Sequence, residues 1–419
     1  MKTITIIKAD RKLKGTISLP TSKSVSNRLL IIQAVARREF AVEGLSSSED
    51  TLLLRKLLLQ IENAEGKKRI TELDTRNAGT VMRFLTAFLS VKPGKWILSG
   101  SDRMKQRPVA PLVDALRTLG AEIDYLSRIG YPPLLIKGKP LEGGETVIES
   151  GVSSQFCSAL LIIAPYLPKG MVINLKGEAV SVPYINMTLK MIEHFGVRCR
   201  KTRHRIRVNP GTYTDHPFRV EADWSAASFW YEAAALADEA DLELIGLSRE
   251  SSQGDAILAR IYQDFGVSTE YRKEGIRLTK VRKKIDGYYF NFSDYPDIAP
   301  PVITTTAVLG LRGRFEGLQG LGIKETNRIL ALKNEFEKLG LSFTYESSQG
   351  MIPALEFKST RMKSRIDHPI ETYGDHRIAM TFAPLALKTG SIRISDPDVV
   401  RKSYPDFWKH LEAVGFEIR

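Results

Sequence analysis

At 419 residues the chain is too long for a single hydrophobic core, so two domains are the natural division. Its 43% hydrophobic content is that of a soluble globular protein; no apolar stretch reaches the ~18–20 residues of a membrane-spanning helix, and the two cysteines have neither metal-ligand nor disulfide spacing. The formal charge of +13 is compatible with nucleic acid, an anionic membrane or small anions, and the short basic clusters, without interleaved aromatics, favour small anions gathered at helix starts.

The opening MKTITII reads as a strand and lacks the apolar core of a signal peptide, so a cytoplasmic location is expected. The run SKSVSNR (residues 22–28) then starts an apolar helix with cations and hydroxyls. Helix starts attract anions because their first N–H groups lack partners and their dipole is positive there. Ser24 and Arg28, four apart, share a helix face, and Lys23 adds a mobile charge at its mouth. In RNAGTVMR (residues 76–83) a turn runs into a second helix, where the missing side chain of Gly79 lets a ligand approach the backbone. MKQRP (residues 104–108) adds the loop cations Lys105 and Arg107.

Further along, Ser153, Ser154 and Gln155 supply two hydroxyls and an amide at a third buried helix, suited to phosphate oxygens or to N-capping. Cys157, in that apolar run, and Cys199, beside Arg198 and Arg200, read as structural thiols. Asp297, in YPDIAPP, stands where an N-cap is expected, with prolines in the first turn, and the same carboxylate is a candidate general base. KETNR (residues 324–328) places Lys324 and Arg328 on one helix face, with Glu325 about 100° round. Asp375 reads as the cap of a last buried helix that carries Arg377, and Lys402 lies just ahead of the final amphipathic helix.

These segments recur. Amphipathic helices that end in an apolar residue and then Gly120, Gly196, Gly266, Gly340 and Gly415 are spaced by 76, 70, 74 and 75 residues. Each glycine is read as the left-handed residue after a helix. A second series of buried helices begins near Ser24, Gly79, Ser153, Ser225, Asp297 and Asp375. The pattern predicts an α/β protein of two similar domains, each of three repeated βαβαββ-like units whose buried helices are wrapped by sheets, with the first unit shortened. Residues 14–221 hold repeats one to three, residues 1–13 and 222–419 hold repeats four to six, and cationic helix starts face a cleft between the domains.

Taken in order, SKSVSNR, NAGT with Arg83, MKQRP, SSQF, SVPY, PD, KETNR, DHR and KSYPD resemble the 5-enolpyruvylshikimate-3-phosphate synthase family over nearly the whole chain. The resemblance implies the enolpyruvyl transferase fold, transfer of the enolpyruvyl group of phosphoenolpyruvate to shikimate 3-phosphate with release of phosphate, no metal or organic cofactor, and a monomer that takes neither nucleic acid nor membrane. It assigns Lys23, Ser24, Arg28, Ser153, Ser154, Gln155, Ser181, Tyr184, Asp297 and Lys324 to shikimate 3-phosphate. Lys23, Gly79, Arg107, Gln155, Arg328, Arg377 and Lys402 fall to phosphoenolpyruvate, for which glyphosate competes in many members. Asp297 is the implied base and Glu325 the implied acid, with Lys23 serving both addition and elimination.

The chain departs from the family pattern at three places. Arg76 and Phe84 stand where many relatives have Gly and Pro, so the shape of the phosphoenolpyruvate pocket is less determined than its charge. Gly320 stands near a common Asn contact to the shikimate phosphate. The related transferase acting on a UDP-linked aminosugar usually carries a reactive Cys in the loop that here reads MKQR. Fold relatives that cyclise RNA 3′-phosphates use a His, for which His376 is the one position to weigh, and a non-catalytic basic nucleic-acid binder rests on net charge alone.

Overall fold

Strand patterning follows alternation. In Gly144–Glu149, Thr146 and Ile148 are buried while Glu145, Val147 and Glu149 are exposed, as expected of a strand with one face on a core. The computed structural model describes all residues except Met1, Lys68, Ser150, Val152, 347–352, Ser359, Thr360 and Arg365. Val152, in the segment before Ser153, and Lys68, in a short basic cluster, therefore lie outside the described residues.

Gly144–Glu149 runs parallel to Met171–Lys176, which pairs antiparallel with Arg205–Val208, itself antiparallel to Cys199–Lys201. The same order and the same directions recur in three further sheets. They are Thr71–Asp74, Gly94–Ser99, Leu134–Gly138 and Glu122–Tyr125; Lys12–Ser18, Glu239–Ile245, Gly275–Lys280 and Val267–Tyr271; and Gly287–Asn291, Arg312–Glu316, Ala354–Phe357 and Thr344–Glu346. Two smaller sheets complete the six seen among the described residues: Val42–Glu43 with Phe218–Arg219, and Ser391–Ser395 with Thr3–Ile7 and Glu417–Ile418.

In each larger sheet a buried helix leads into the second strand of the parallel pair. Ser154–Ile163 is buried at every position except Gln155, and Trp224–Leu236 at every position except Ser225. The exceptions, Gln155 and Ser225, both lie in the first turn. The amphipathic helices stop as the sequence predicts: Gly120, Gly196, Gly266, Gly340 and Gly415 have φ between +73° and +94°, a region open to glycine at no steric cost.

The chain forms two compact units, one made of residues 1–22 and 221–419 (the split unit) and one of residues 23–220 (the inserted unit). The first crossing thus falls at 22/23 rather than at the expected 13/14, and the return at 220/221. The reason is the strand Lys12–Ser18, which pairs along its whole length with Glu239–Ile245 and buries Leu13 and Ile17 in the split unit's core. Each unit has its own apolar core, around Trp224, Trp230 and Phe292 in one and Phe84, Trp96 and Phe156 in the other. Among the described residues no helix is long and apolar enough to cross a membrane.

Candidate functional site

In the inserted unit three buried helices, Lys23–Ala36, Gly79–Val91 and Ser154–Ile163, are tied together near their starts. Arg28, only 2% exposed, links the first of them to the third and to the helix Val182–His194. Its Nε donates to Thr188 Oγ1 at 2.7 Å, one terminal nitrogen to the Ser24 carbonyl at 2.8 Å, and the other to Ser158 Oγ at 3.1 Å and the Tyr184 carbonyl at 3.4 Å. All these acceptors are neutral. Burial pushes its guanidinium down to about 10, and no neighbouring carboxylate among the described residues balances its charge.

Lys23 is differently placed: its ammonium lies 3.2 Å from Asp50 Oδ2. Ser153 caps its helix, accepting from the Gln155 backbone N–H at 3.3 Å, while the Gln155 amide donates to Thr80 Oγ1 at 3.3 Å. Ser154 is buried beside it. Ser181 is the N-cap residue of Val182–His194 in a left-handed conformation, φ +56°, without a side-chain capping bond. A non-glycine residue held there is strained, a condition common at functional positions. Arg107 folds onto Gly79, donating to the Asn77 carbonyl at 3.1 Å. A Cβ on Gly79 would lie 2.4 Å from the Arg107 guanidinium, so the space expected to be open at Gly79 is filled by that side chain.

The split unit gathers the second set around Asp297. Its Oδ1 accepts from Lys324 Nζ at 3.4 Å and from Arg328 at 3.5 Å, and its Oδ2 lies 3.1 Å from Arg377, which also donates to the Asp297 carbonyl at 2.9 Å. Burial pushes the Asp297 carboxyl up, but Arg377, Lys324 and Arg328 outweigh it and hold it well below the usual carboxylate range. Asp297 is not the helix cap: that position belongs to Ile298, and Asp297 instead faces cations contributed by two later segments. Nor do Lys324 and Glu325 lie on a helix. Asn327 caps Arg328–Lys338, accepting from the Leu330 N–H at 3.2 Å, so the preceding residues form a loop.

Arg328, 1% exposed, is fully engaged: it meets Asp375 at 2.8 and 3.3 Å and Glu325 at 2.9 Å, besides Asp297. Asp375 also caps His376–Phe382, as its place in the sequence suggested. His376 is 1% exposed, which leaves it no access as a nucleophile. Lys402 ends the turn Pro397–Lys402, which packs on the helix that carries Arg377.

Sequence reasoning missed four supporting groups. Ser158 and Thr188 are polar residues inside apolar helical runs, which is the signal that could have found them; Asp50 lies in the first turn of Glu49–Asn63 without a distinguishing context. Asp255 is buried, receives a hydrogen bond from the Ser225 hydroxyl, and is pushed up to about 7 by burial and then by the charge of Asp297. Both cysteine thiols are raised to about 12 by burial, in keeping with inert structural roles.

The family model described as EPSP synthase (3-phosphoshikimate 1-carboxyvinyltransferase) matches residues 7–411. The chain is 45% identical over 415 residues to a Bacteroides fragilis protein named 3-phosphoshikimate 1-carboxyvinyltransferase, covering 99% of this chain and 98% of that one. It is 34% identical over 437 residues to a Sulfurovum protein of the same name, covering 99% and 100%. A solved structure of EPSP synthase from Acinetobacter baumannii superposes with a TM-score of 0.75 over the whole of both chains, at 22% identity, which speaks to the fold alone. Similarity along the whole length, not at isolated motifs, therefore decides the assignment: the chain belongs to the EPSP synthase family.

Proposed function

We propose that this protein transfers the carboxyvinyl group of phosphoenolpyruvate to the 5-hydroxyl of shikimate 3-phosphate by addition and elimination, releasing phosphate, without a metal or organic cofactor. The observation that carries this is the set of three cations, Lys324, Arg328 and Arg377, converging on one carboxylate, Asp297. Two polyanionic substrates need such cations, because their mutual repulsion is costly in a closed site. A carboxylate held so far down is a weak base. As the cations turn to substrate phosphate and carboxylate groups, Asp297 loses their stabilisation and its proton affinity rises.

In this reading Asp297 accepts the 5-hydroxyl proton as that oxygen bonds to C2 of phosphoenolpyruvate, while an acid, assigned to Glu325, protonates C3. The tetrahedral adduct then loses a C3 proton and phosphate, and the vinyl group is restored. Lys23, released from Asp50, bonds the hydroxyl and the departing phosphate. Arg28 with Ser24, Ser153, Ser154, Gln155, Ser181 and Tyr184 holds shikimate 3-phosphate, joined by Lys324. Gly79, Arg107, Gln155, Arg328, Arg377 and Lys402 hold phosphoenolpyruvate.

We place the protein in the cytoplasm as a monomer acting on small anions, not nucleic acid. In support, the strongest cations of the site are buried, and Arg203 and Arg205 of the exposed basic run near residue 200 are matched to Glu178 and Glu145. The deciding experiment is phosphate release, expected only when shikimate 3-phosphate and phosphoenolpyruvate are both present. No release with that pair, or release with a UDP-linked aminosugar in its place, overturns the reading.

A further inference from the structure

Arg28 presents a physical problem that its hydrogen bonds do not solve. Its acceptors, Thr188 Oγ1, Ser158 Oγ and the carbonyls of Ser24 and Tyr184, are neutral dipoles. A guanidinium taken out of water still needs something to stabilise its charge. The structure supplies an aromatic face: the guanidinium carbon lies 5.5 Å from the centroid of the Phe84 ring, and 6.0 Å from that of Tyr184. Phe84 is wholly buried in the second turn of Gly79–Val91, so its ring is fixed by packing and screened from water. Cation–π attraction acts within about 6 Å and is strongest at desolvated sites.

A ring has one property here that a carboxylate lacks. A carboxylate beside Arg28 would stabilise the charge by neutralising it and would then compete with any incoming anion. A ring stabilises the cation through its quadrupole without neutralising it, so the positive field remains. We propose that Phe84 is a positioning residue for shikimate 3-phosphate, keeping Arg28 charged and oriented without cancelling the charge that the substrate binds. The substrate named here rests on the function proposed above; the stacking itself does not. Phe84 thus acts on the shikimate 3-phosphate side.

The test replaces Phe84 with 4-fluoro-, 3,5-difluoro- and 3,4,5-trifluorophenylalanine, which weaken the quadrupole stepwise with little change in shape, and adds Phe84→Leu as an encoded variant. Direct titration with shikimate 3-phosphate should show Kd rising stepwise, by about tenfold overall, the scale of a buried cation–π contact. The KM for phosphoenolpyruvate and kcat at saturation should stay within about twofold. A role in packing alone would give a flat fluorine series, and that result, or an equal rise in both substrates' constants, overturns the proposal. The two readings fail separately: a flat series in an enzyme that turns over the pair removes Phe84 alone, whereas a wild type that releases no phosphate from the pair removes the assigned reaction and with it the substrate assigned to Arg28.

Discussion

Arg28 in the inserted unit and Arg328 in the split unit are both buried guanidinium groups, and the two units treat them in opposite ways. Arg328 is surrounded by Asp375, Glu325 and Asp297 and is thereby held above its ordinary value despite burial. Arg28 has hydroxyls, carbonyls and aromatic rings instead, and burial pulls it down. Breaking a buried pair leaves uncompensated charge, whereas removing an unneutralised buried charge can leave stability unchanged or improve it. The split unit's arginine therefore belongs to the fold as well as the site, and the inserted unit's to the site.

The sharpest way to break this contrast is Arg328→Met, which would take the guanidinium from Asp375 and Glu325 and one of three cations from Asp297. A stability loss of about 3–5 kcal/mol is expected, read by urea unfolding, along with loss of turnover. A variant as stable as wild type would remove the structural half of the comparison. Arg28→Met should do the reverse: shikimate 3-phosphate affinity falls on the order of a hundredfold or more, the cost of a lost buried charge contact, while unfolding in the absence of ligand is unchanged or slightly shifted upward. Thermal stabilisation by saturating shikimate 3-phosphate should disappear with it.

Asp297→Asn tests whether the carboxylate under the cations is chemical or structural. Because Ile298 and not Asp297 occupies the cap position, the helix should survive. Turnover should fall by about 10² or more, with substrate binding largely intact. Near-normal kcat in a folded variant would send the search for the base elsewhere.

Glu232 extends the contrast to a carboxyl: it is wholly buried in Trp224–Leu236, neither of its oxygens has a hydrogen-bond partner among the described residues, and burial pushes its carboxyl well above the usual range. Burial thus favours its neutral form. The stability tied to it is fully present below about pH 4.3, the unfolded value, and is lost as pH rises from there toward the folded value. Glu232→Met should therefore gain on wild type as pH rises from 5 to 8, by about 1.4 kcal/mol per pH unit at most, and a pH-independent difference would refute this.

The smallest effect is expected at Arg76, whose φ of +50° is a region that favours glycine. The turn is secured by the Asp74 carboxylate, which accepts from the Arg76 N–H at 2.8 Å. Arg76→Gly should relieve the strain at some cost in chain entropy, a net gain of about 0.5–1 kcal/mol in thermal unfolding.

What the sequence determined by itself was local. The five helix-ending glycines, the capping roles of Ser153 and Asp375, and the repeat that generates four sheets of one order all follow from backbone conformation and side-chain period, which act over a few residues. The family motifs added the cations and Asp297. Tertiary structure alone decided which charges meet. Arg28 finds Ser158 and Thr188 at separations of 130 and 160 residues, and Arg377 reaches Asp297 across 80. Nothing in a local pattern encodes such distances. Because Asp297 is drawn to those distant cations, it leaves the cap that its position suggested. In the same way Glu325 meets Arg328 from the loop before the helix and not along a helix face. Local rules place a residue at the start of an element, and the charges that converge there from elsewhere in the chain set what it does.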